Sequence, residues 1–309
     1  MDDDNEGKNM RDLLTVVILT YNEEKNIAEC IDSCSDIADR IIVMDNNSSD
    51  NTTIIAEKKG ATVIKSELLV RDRIRWILEG DRIKTKWILF LDADERMTPE
   101  SSIEFRKLCE DYQNDNNVNG IVVRYRPEFI GKILYHGGFS PLKKLRGFKV
   151  NTAYYEIAEV DEHFVLKKGS MVYMKNDFIH MDYKGIRTWV DKHTVYAQRA
   201  AMDYINKTRG DEVVNYKGLE TGARIKRFIK YNIYYKLPMG FRAKLFYCYC
   251  YYFRLGFLDG KEGRMYAFLH SYWYRYLIDV FVYANEAGNQ EETCSRNNMS
   301  DRERLKSFF

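Results

Sequence analysis

The chain has 309 residues, 45% of them hydrophobic and 30% charged, enough for one large domain or two small ones around a full core. Its 48 basic residues nearly cancel 46 acidic ones, so the net charge of +2 points to no partner class. Six cysteines include no C-x-x-C pair and no regular spacing, which argues against a zinc site or disulfide framework and fits free thiols in a reducing cytosol. No apolar run reaches the ~18 residues that span a bilayer. The acidic start MDDDNEGKNMRD is the opposite of a signal peptide, so a cytoplasmic protein is expected.

LLTVVILT (13–20) is a continuous apolar run, as expected of a strand buried on both faces. NEEKNIAECIDSC follows with helical spacing. Next come a strand at RIIVM (40–44), a helix at NTTIIAEKK closed by Gly60, a strand at TVIK (62–65), and a helix through RDRIRWILEG. WILFL (87–91) is the fourth strand. Thr98-Pro99 predicts a further helix start, a capping hydroxyl followed by proline at the first helical position. GIVVRYR (120–126) is the fifth strand. This alternation predicts an α/β fold, a mostly parallel sheet with helices on both faces. Residues 127–182 break into short strand-like pieces with Gly-rich turns. A helix is expected over 186–206, a polar linker over 207–221, and disorder over 1–12 and 286–309.

In an open α/β sheet, ligands bind beyond the carboxyl ends of the strands. Three strands here end in polar clusters: TYNEE, DNNSSD and DADE. Asn22 with Glu23 and Glu24 reads equally as a helix start, and Ser49 or Asp50 as the cap of the next helix. Asp45, directly after its strand, is placed to accept from a nucleobase N–H and ribose hydroxyls. Thr98 already caps the helix after DADE, so Asp92 and Asp94 are not needed there. Alternate residues of an extended strand share a face, so the two carboxylates are expected to converge, which calls for a cation or a proton. Mg2+ or Mn2+ held by one or two carboxylates and substrate phosphates meets that need, with a solvated turn as the plain alternative. Glu95 is expected to point elsewhere, toward Arg96 or a nearby basic side chain.

VVILTYNEEKNIAECIDSC, RIIVMDNNSSDNT and WILFLDADERMTPE, in this order and spacing, resemble the nucleotide-sugar half of a family-2 glycosyltransferase of GT-A fold. The resemblance is close over about 13–126 and looser through VDEHF (160–164), FIHMDYKG (178–185) and KHTVYAQRAA (192–201). KLPMGFRAKLF and GFLDGKEG resemble the tail of a bacterial subgroup that makes lipopolysaccharide core and exopolysaccharide. The resemblance implies a nucleotide-sugar-binding half at 13–126, an acceptor-side half at 127–206 and an inverting, metal-dependent transfer from a UDP- or GDP-linked sugar. By it, Thr20, Tyr21, Glu23 and Asp45 line the nucleotide pocket. Arg75 sits near the base or diphosphate, although Trp76 stands where an asparagine is frequent. Asp92 meets the ribose or a metal-bound water, and Asp94 ligates the metal.

Inverting transfer also needs a carboxylate base on the acceptor side. EIAEVDEHF offers Glu156, Glu159, Asp161 and Glu162. Many relatives carry His-Glu where this chain has Asp161-Glu162, which selects Glu162 with Asp161 as runner-up. His180 is a candidate third metal ligand or a structural histidine, and His136 and Arg146 are candidate contacts to donor or acceptor.

The aromatic and basic segment 222–285 has helical spacing and three readings: a base-stacking platform, an ordinary core with solvated basic faces, or a surface lying on an anionic membrane. With a sugar-transfer site upstream, the membrane reading is the most economical. It places the protein peripherally on the cytoplasmic face of the inner membrane, acting on a lipid-linked saccharide or lipopolysaccharide-type acceptor, with no nucleic-acid partner expected. A nucleotidyltransferase would carry a Gly-rich phosphate loop after the first strand, and TYNEEKN has no glycine. The non-enzyme alternative is a basic module, binding nucleic acid or a partner protein, with a vestigial GT-A site.

Overall fold

The computed structural model describes residues 12–156, 163–209 and 221–287. They fall into two compact units, one of residues up to 133 with 139–185, the other of 134–138 with residues from 186 onward.

The first unit is built on β1 (Leu14–Thr20), β2 (Arg40–Asp45), β3 (Thr62–Lys65) and β4 (Trp87–Asp92), which pair in parallel in the order β3-β2-β1-β4. Helices cover both faces. Val16 and Ile18 of β1 pack with Ile27 and Ile31 of α1 (Ile27–Cys34) and Phe105 of α4 (Pro99–Tyr112). Val17, Met44 and Phe90 pack on the opposite face with Ile74 and Ile77 of α3 (Val70–Leu78). Successive side chains of a strand alternate between faces, and here both faces are dry. That is why these strands read as unbroken apolar runs. α2 (Thr52–Lys58) joins β2 to β3.

β5 (Glu95–Met97) follows β4 after two residues, yet the sheet reaches it by a long path, β4-β8-β6-β11-β5. Here β6 is Val118–Phe129, with the short β7 (Lys132–Ile133) on its end, β8 is Leu142–Lys149 and β11 is Ser170–His180. β8 runs antiparallel to β4 and β6, β11 parallel to β6, and β5 antiparallel to β11. Because Ala93-Asp94 joins the interior strand β4 to the edge strand β5, the stretch β4-β8-β6-β11-β5 must curl back toward the end of β4. β9 (Ala153–Glu156) and β10 (His163–Leu166) form a separate antiparallel pair, seated by Phe164 at 4.7 Å from Phe90 and 5.0 Å from Phe148.

Local signals behave unevenly. Thr98 accepts from Ser101 N–H at 3.2 Å, Ser101 Oγ accepts from Thr98 N–H at 2.8 Å, and Pro99 opens α4, as its sequence predicts. Asn22 does not cap α1, whose first residue is Ile27. It has a left-handed backbone, φ +52°, and its side chain reaches across to the next loop.

The second unit contains α5 (Ile186–Arg209), α6 (Thr221–Asn232), α7 (Phe241–Cys248), α8 (Gly260–Tyr266) and α9 (Tyr274–Glu286). π-type turns at 249–253 and 267–273 extend α7 and link α8 to α9. Ala197, Ala200 and Ala201 give α5 a flat face against Ile278 and Val282 of α9. KLPMGFRAKLF holds a structural device: Asp279, nearly fully buried, accepts from Arg242 Nε at 2.7 Å and Gly240 N–H at 2.7 Å. GFLDGKEG holds another. Buried Asp259 accepts the N–H groups of Tyr135 (3.0 Å) and His136 (2.8 Å) and faces His136 Nδ1 at 2.8 Å. Among the described residues, no helix is long and apolar enough to cross a membrane.

Candidate active site

The carboxyl ends of β1, β2 and β4 lie side by side, with Thr20 opposite Asp45 and Leu19 opposite Asp92. Two loops there are stitched together. Asn22 donates its N–H to Ser48 Oγ and accepts from Ser49 N–H, both at 2.9 Å; Glu24 accepts from Asn51 N–H at 3.2 Å. Asp50 accepts from Thr52 N–H at 3.0 Å, but the N-cap position of α2 is Asn51, not Ser49 or Asp50 as expected. Asp45 is fully buried and accepts from Thr20 Oγ1 (3.0 Å) and from the N–H of Ser48 (2.8 Å). Beneath it, buried Arg73 donates to Met44 O at 2.8 Å; burial lowers this guanidinium to about 10 despite the attraction of Asp45.

Beside this floor stands an acid-base cluster. Arg146 of β8 donates to Asp92 Oδ2 at 2.7 Å and lies 3.4 Å from Glu95. Glu95 accepts from Asp92 N–H at 2.9 Å and from the Tyr125 hydroxyl at 3.2 Å. Burial raises its carboxyl to about 7 against the pull of Arg146, and the same burial pushes Tyr125 up. The expectation that Glu95 points away from the site fails, and the basic side chain it faces is Arg146 rather than Arg96. β5 pairs with β11, and that pairing brings Glu95 inside.

Asp94 faces His180, with Oδ2 3.3 Å from Nε2. The carboxylate raises the imidazole to about 9, against the effect of desolvation. His180 stands opposite Glu95 in the β5–β11 register, and Met181 N–H donates to Asp94 O at 2.7 Å. Next to them Glu23 pairs with Lys184 and accepts from Asn26 Nδ2 at 2.7 Å. Burial, with a further push from Asp94 and a counter-pull from Lys184, raises Glu23. Asn26 and Asp182 complete the network, Asn26 Nδ2 donating to Asp182 Oδ1 at 3.1 Å.

Thr20, Glu23, Asp45, Asp92, Asp94 and His180 thus gather at one end of the sheet, as the sequence reading expects. Tyr21 follows β1 directly. The anticipated metal set of Asp92, Asp94 and His180 does not form one group. Among the described residues no three His, Cys, Asp or Glu side chains stand together as a metal site. The strand ends at Asp92, whose carboxylate turns to Arg146, so the alternation argument does not reach Asp94. Asp94 and His180 still supply an oxygen and a nitrogen donor side by side, a fit for a divalent cation that takes its remaining ligands from phosphates and water.

Arg75 is not among the side chains bonded at the strand ends. It is exposed, faces Glu79 at 3.6 Å, and lines a depression with Arg71, Asn151, Tyr154 and Lys167. Two residues earlier on the same helix, Arg73 occupies the floor under Asp45. Arg146 contacts acids of the site rather than standing open, and His136 belongs to the helical unit. Asp161 and Glu162, with Glu159, lie outside the described residues; Glu156 ends β9. Arg73 and Lys184 are site residues that sequence reasoning passed over, and Glu95 is one that it sent elsewhere. Lys184 sits within FIHMDYKG, but the partners of Glu95 lie 30 and 51 residues away and leave no local signal.

Residues 15–158 match the model of glycosyl transferase family 2, and this domain belongs to that family. The matched segment runs from β1 through β9 of the α/β unit. An uncharacterized glycosyltransferase of Rickettsia typhi is 27% identical over 212 residues, covering 63% of this chain and 68% of that protein. One from Rickettsia bellii is 36% identical over 110 residues, covering 34% and 37%. Among solved structures, glucosyl-3-phosphoglycerate synthase from Mycobacterium tuberculosis, in complex with Mn2+, uridine diphosphate and glucosyl-3-phosphoglycerate, is 25% identical, with a TM-score of 0.31. That match covers 37% of this chain and 44% of the synthase.

Proposed function

We propose that the protein is a metal-dependent, inverting glycosyltransferase. It would move a hexose from a UDP- or GDP-linked donor to a hydroxyl of a lipid-linked, lipopolysaccharide- or exopolysaccharide-type acceptor at the cytoplasmic face of the inner membrane. The observation that carries the reading is the pair Asp94–His180 at the carboxyl end of the sheet, beside Thr20, Glu23 and Asp45. Asp94 and His180 would hold Mn2+ or Mg2+, which when bound supplies charge to stabilise the leaving diphosphate. Asp45, already oriented by Thr20 and Ser48, would accept from the nucleoside. Arg146 holds Asp92 in place for the ribose.

Glu162, or Asp161, would take the proton of the acceptor hydroxyl as its oxygen bonds to the anomeric carbon. The carbon–oxygen bond to the diphosphate breaks on the opposite face, and its electron pair leaves with the diphosphate. No covalent enzyme intermediate is required. The test is hydrolysis and transfer across a panel of nucleotide sugars with and without Mn2+. Wild type should turn over one of them only with cation, and Asp94→Ala should lose that activity. Full metal-dependent turnover by Asp94→Ala would sink the site assignment.

A further inference from the structure

The turn between the π-type stretch after α7 and the start of α8 carries apolar side chains outward from a rigid base. Phe253 is 79% exposed, the most exposed large apolar side chain among the described residues, and Tyr252, Leu255, Phe257 and Leu258 are exposed around it. This is not a loosely tethered loop. Gly256 and Asp259 of the same turn are buried, and a Cβ on Gly256 would stand 3.0 Å from Cys250 O and 3.3 Å from Gly137 Cα. Asp259 is pinned by the N–H groups of Tyr135 and His136. Leu255 adopts φ +59°, a left-handed conformation costly for a leucine, so the turn is held in a shape its own sequence does not favour.

Two more features point the same way. Along α7 and into the π-type stretch that extends it, Phe241, Leu245 and Tyr249 are also exposed at helical spacing, as is Lys244. Arg254 within the turn, and Lys261 and Arg264 just after it, are exposed. Across 221–287 there are 11 Lys and Arg against 4 Asp and Glu, and two of those acids, Asp259 and Asp279, are buried in contacts of their own. An exposed apolar patch of this kind marks a protein or a membrane contact. Protein interfaces are depleted of lysine at their cores, whereas basic side chains around aromatic and aliphatic ones match anionic headgroups over acyl chains.

We propose that the helical unit docks on the surface of an anionic bilayer by inserting the 252–258 tip. This deepens the membrane location proposed above, but it stands on the helical unit alone.

The experiment is sedimentation of the full chain with vesicles of phosphatidylcholine, alone or with phosphatidylglycerol. The expected result is binding to the anionic vesicles that weakens with added salt. Phe253→Glu combined with Leu258→Glu should weaken it about ten-fold or more, while Ile103→Glu, at an exposed site on α4, should not. Both sites are exposed, so an unchanged melting temperature checks that the fold is kept. Phe253→Trp should be quenched by brominated lipid. Wild type failing to sediment with anionic vesicles, or the double variant sedimenting as wild type does, overturns the proposal. So does a wild-type dimer in solution that the double variant breaks without any vesicle binding. The vesicles carry no saccharide, so vesicle binding by a chain inactive on every nucleotide sugar would refute the catalytic reading and leave this one standing.

Discussion

Replacing Arg146 by glutamine tests the buried cluster beside the strand ends. Its guanidinium, 11% exposed, lies 2.7 Å from Asp92 and 3.4 Å from Glu95, which is 4% exposed. Asp92 is 42% exposed, so water replaces much of what it loses, and a charge-assisted hydrogen bond lost there costs about 1–2 kcal/mol near neutral pH. Glu95 behaves differently. Its carboxyl stands at about 7 in the folded protein against 4.5 for the free group. The native state therefore holds a proton that the unfolded chain releases between those values. Stability from this group is present below about 4.5 and is lost as pH rises to 7. Without Arg146 the folded value moves higher still. Below pH 7, Glu95 is protonated in both proteins and the substitution costs little through it.

Above pH 7 only the wild type has a cation to meet the ionised carboxylate, and the gap grows by about 1.4 kcal/mol per pH unit. We expect a loss of about 1–2 kcal/mol at pH 6 and about 3–4 kcal/mol at pH 8.5. Urea midpoints at the two pH values, with chelator present, measure it. The double variant Arg146→Gln, Glu95→Gln should show no such pH dependence. A loss that is the same at both pH values, or a double variant with the full slope, would refute the reasoning.

Glu162→Gln should lower kcat by about 100-fold or more, as loss of a general base does, with donor KM little changed; if Asp161→Asn carries the loss instead, the base is Asp161. In the helical unit, burial, with Arg275 and His193 nearby, holds His270 down at about 3 against 6.5. The unfolded chain takes up this proton first, so stability falls as pH drops through that window, and His270→Phe should recover about 2 kcal/mol at pH 4 by equilibrium denaturation. An acid limb unchanged by the substitution would exclude His270. Asp279→Leu strands the buried Arg242 cation and should cost about 3–5 kcal/mol in denaturant unfolding, most of it regained by adding Arg242→Met. A double variant no more stable than Asp279→Leu would mean that packing, not charge, is what was lost.

Features that depend on near neighbours in the chain were legible in advance. The Thr98–Ser101 cap involves residues three apart, and the run 13–20 announces burial on both faces without knowing what covers it. The placing of acids after three strands was legible for the same reason, because parallel order alone puts carboxyl ends together. Asn22 misled, since its left-handed turn lets it bond a loop 27 residues on rather than its own helix. Arg75 and Arg73 differ by two positions on a helix, and only packing chose which of them is buried beneath Asp45.

The opposite fates of Asp92, Asp94 and Glu95 show where sequence stops. By itself the sequence determined that a buried strand ends in acids at the carboxyl edge of an α/β sheet, because hydrophobic period and the succession of strands and helices are local properties. Only the tertiary structure decided what each acid does. The sheet curls so that β5 pairs with β11, which comes from more than 70 residues further along the chain. That pairing turns Asp94 to His180, leaves Asp92 to Arg146, and buries Glu95 between arginine and tyrosine, where lost hydration sets its affinity for a proton.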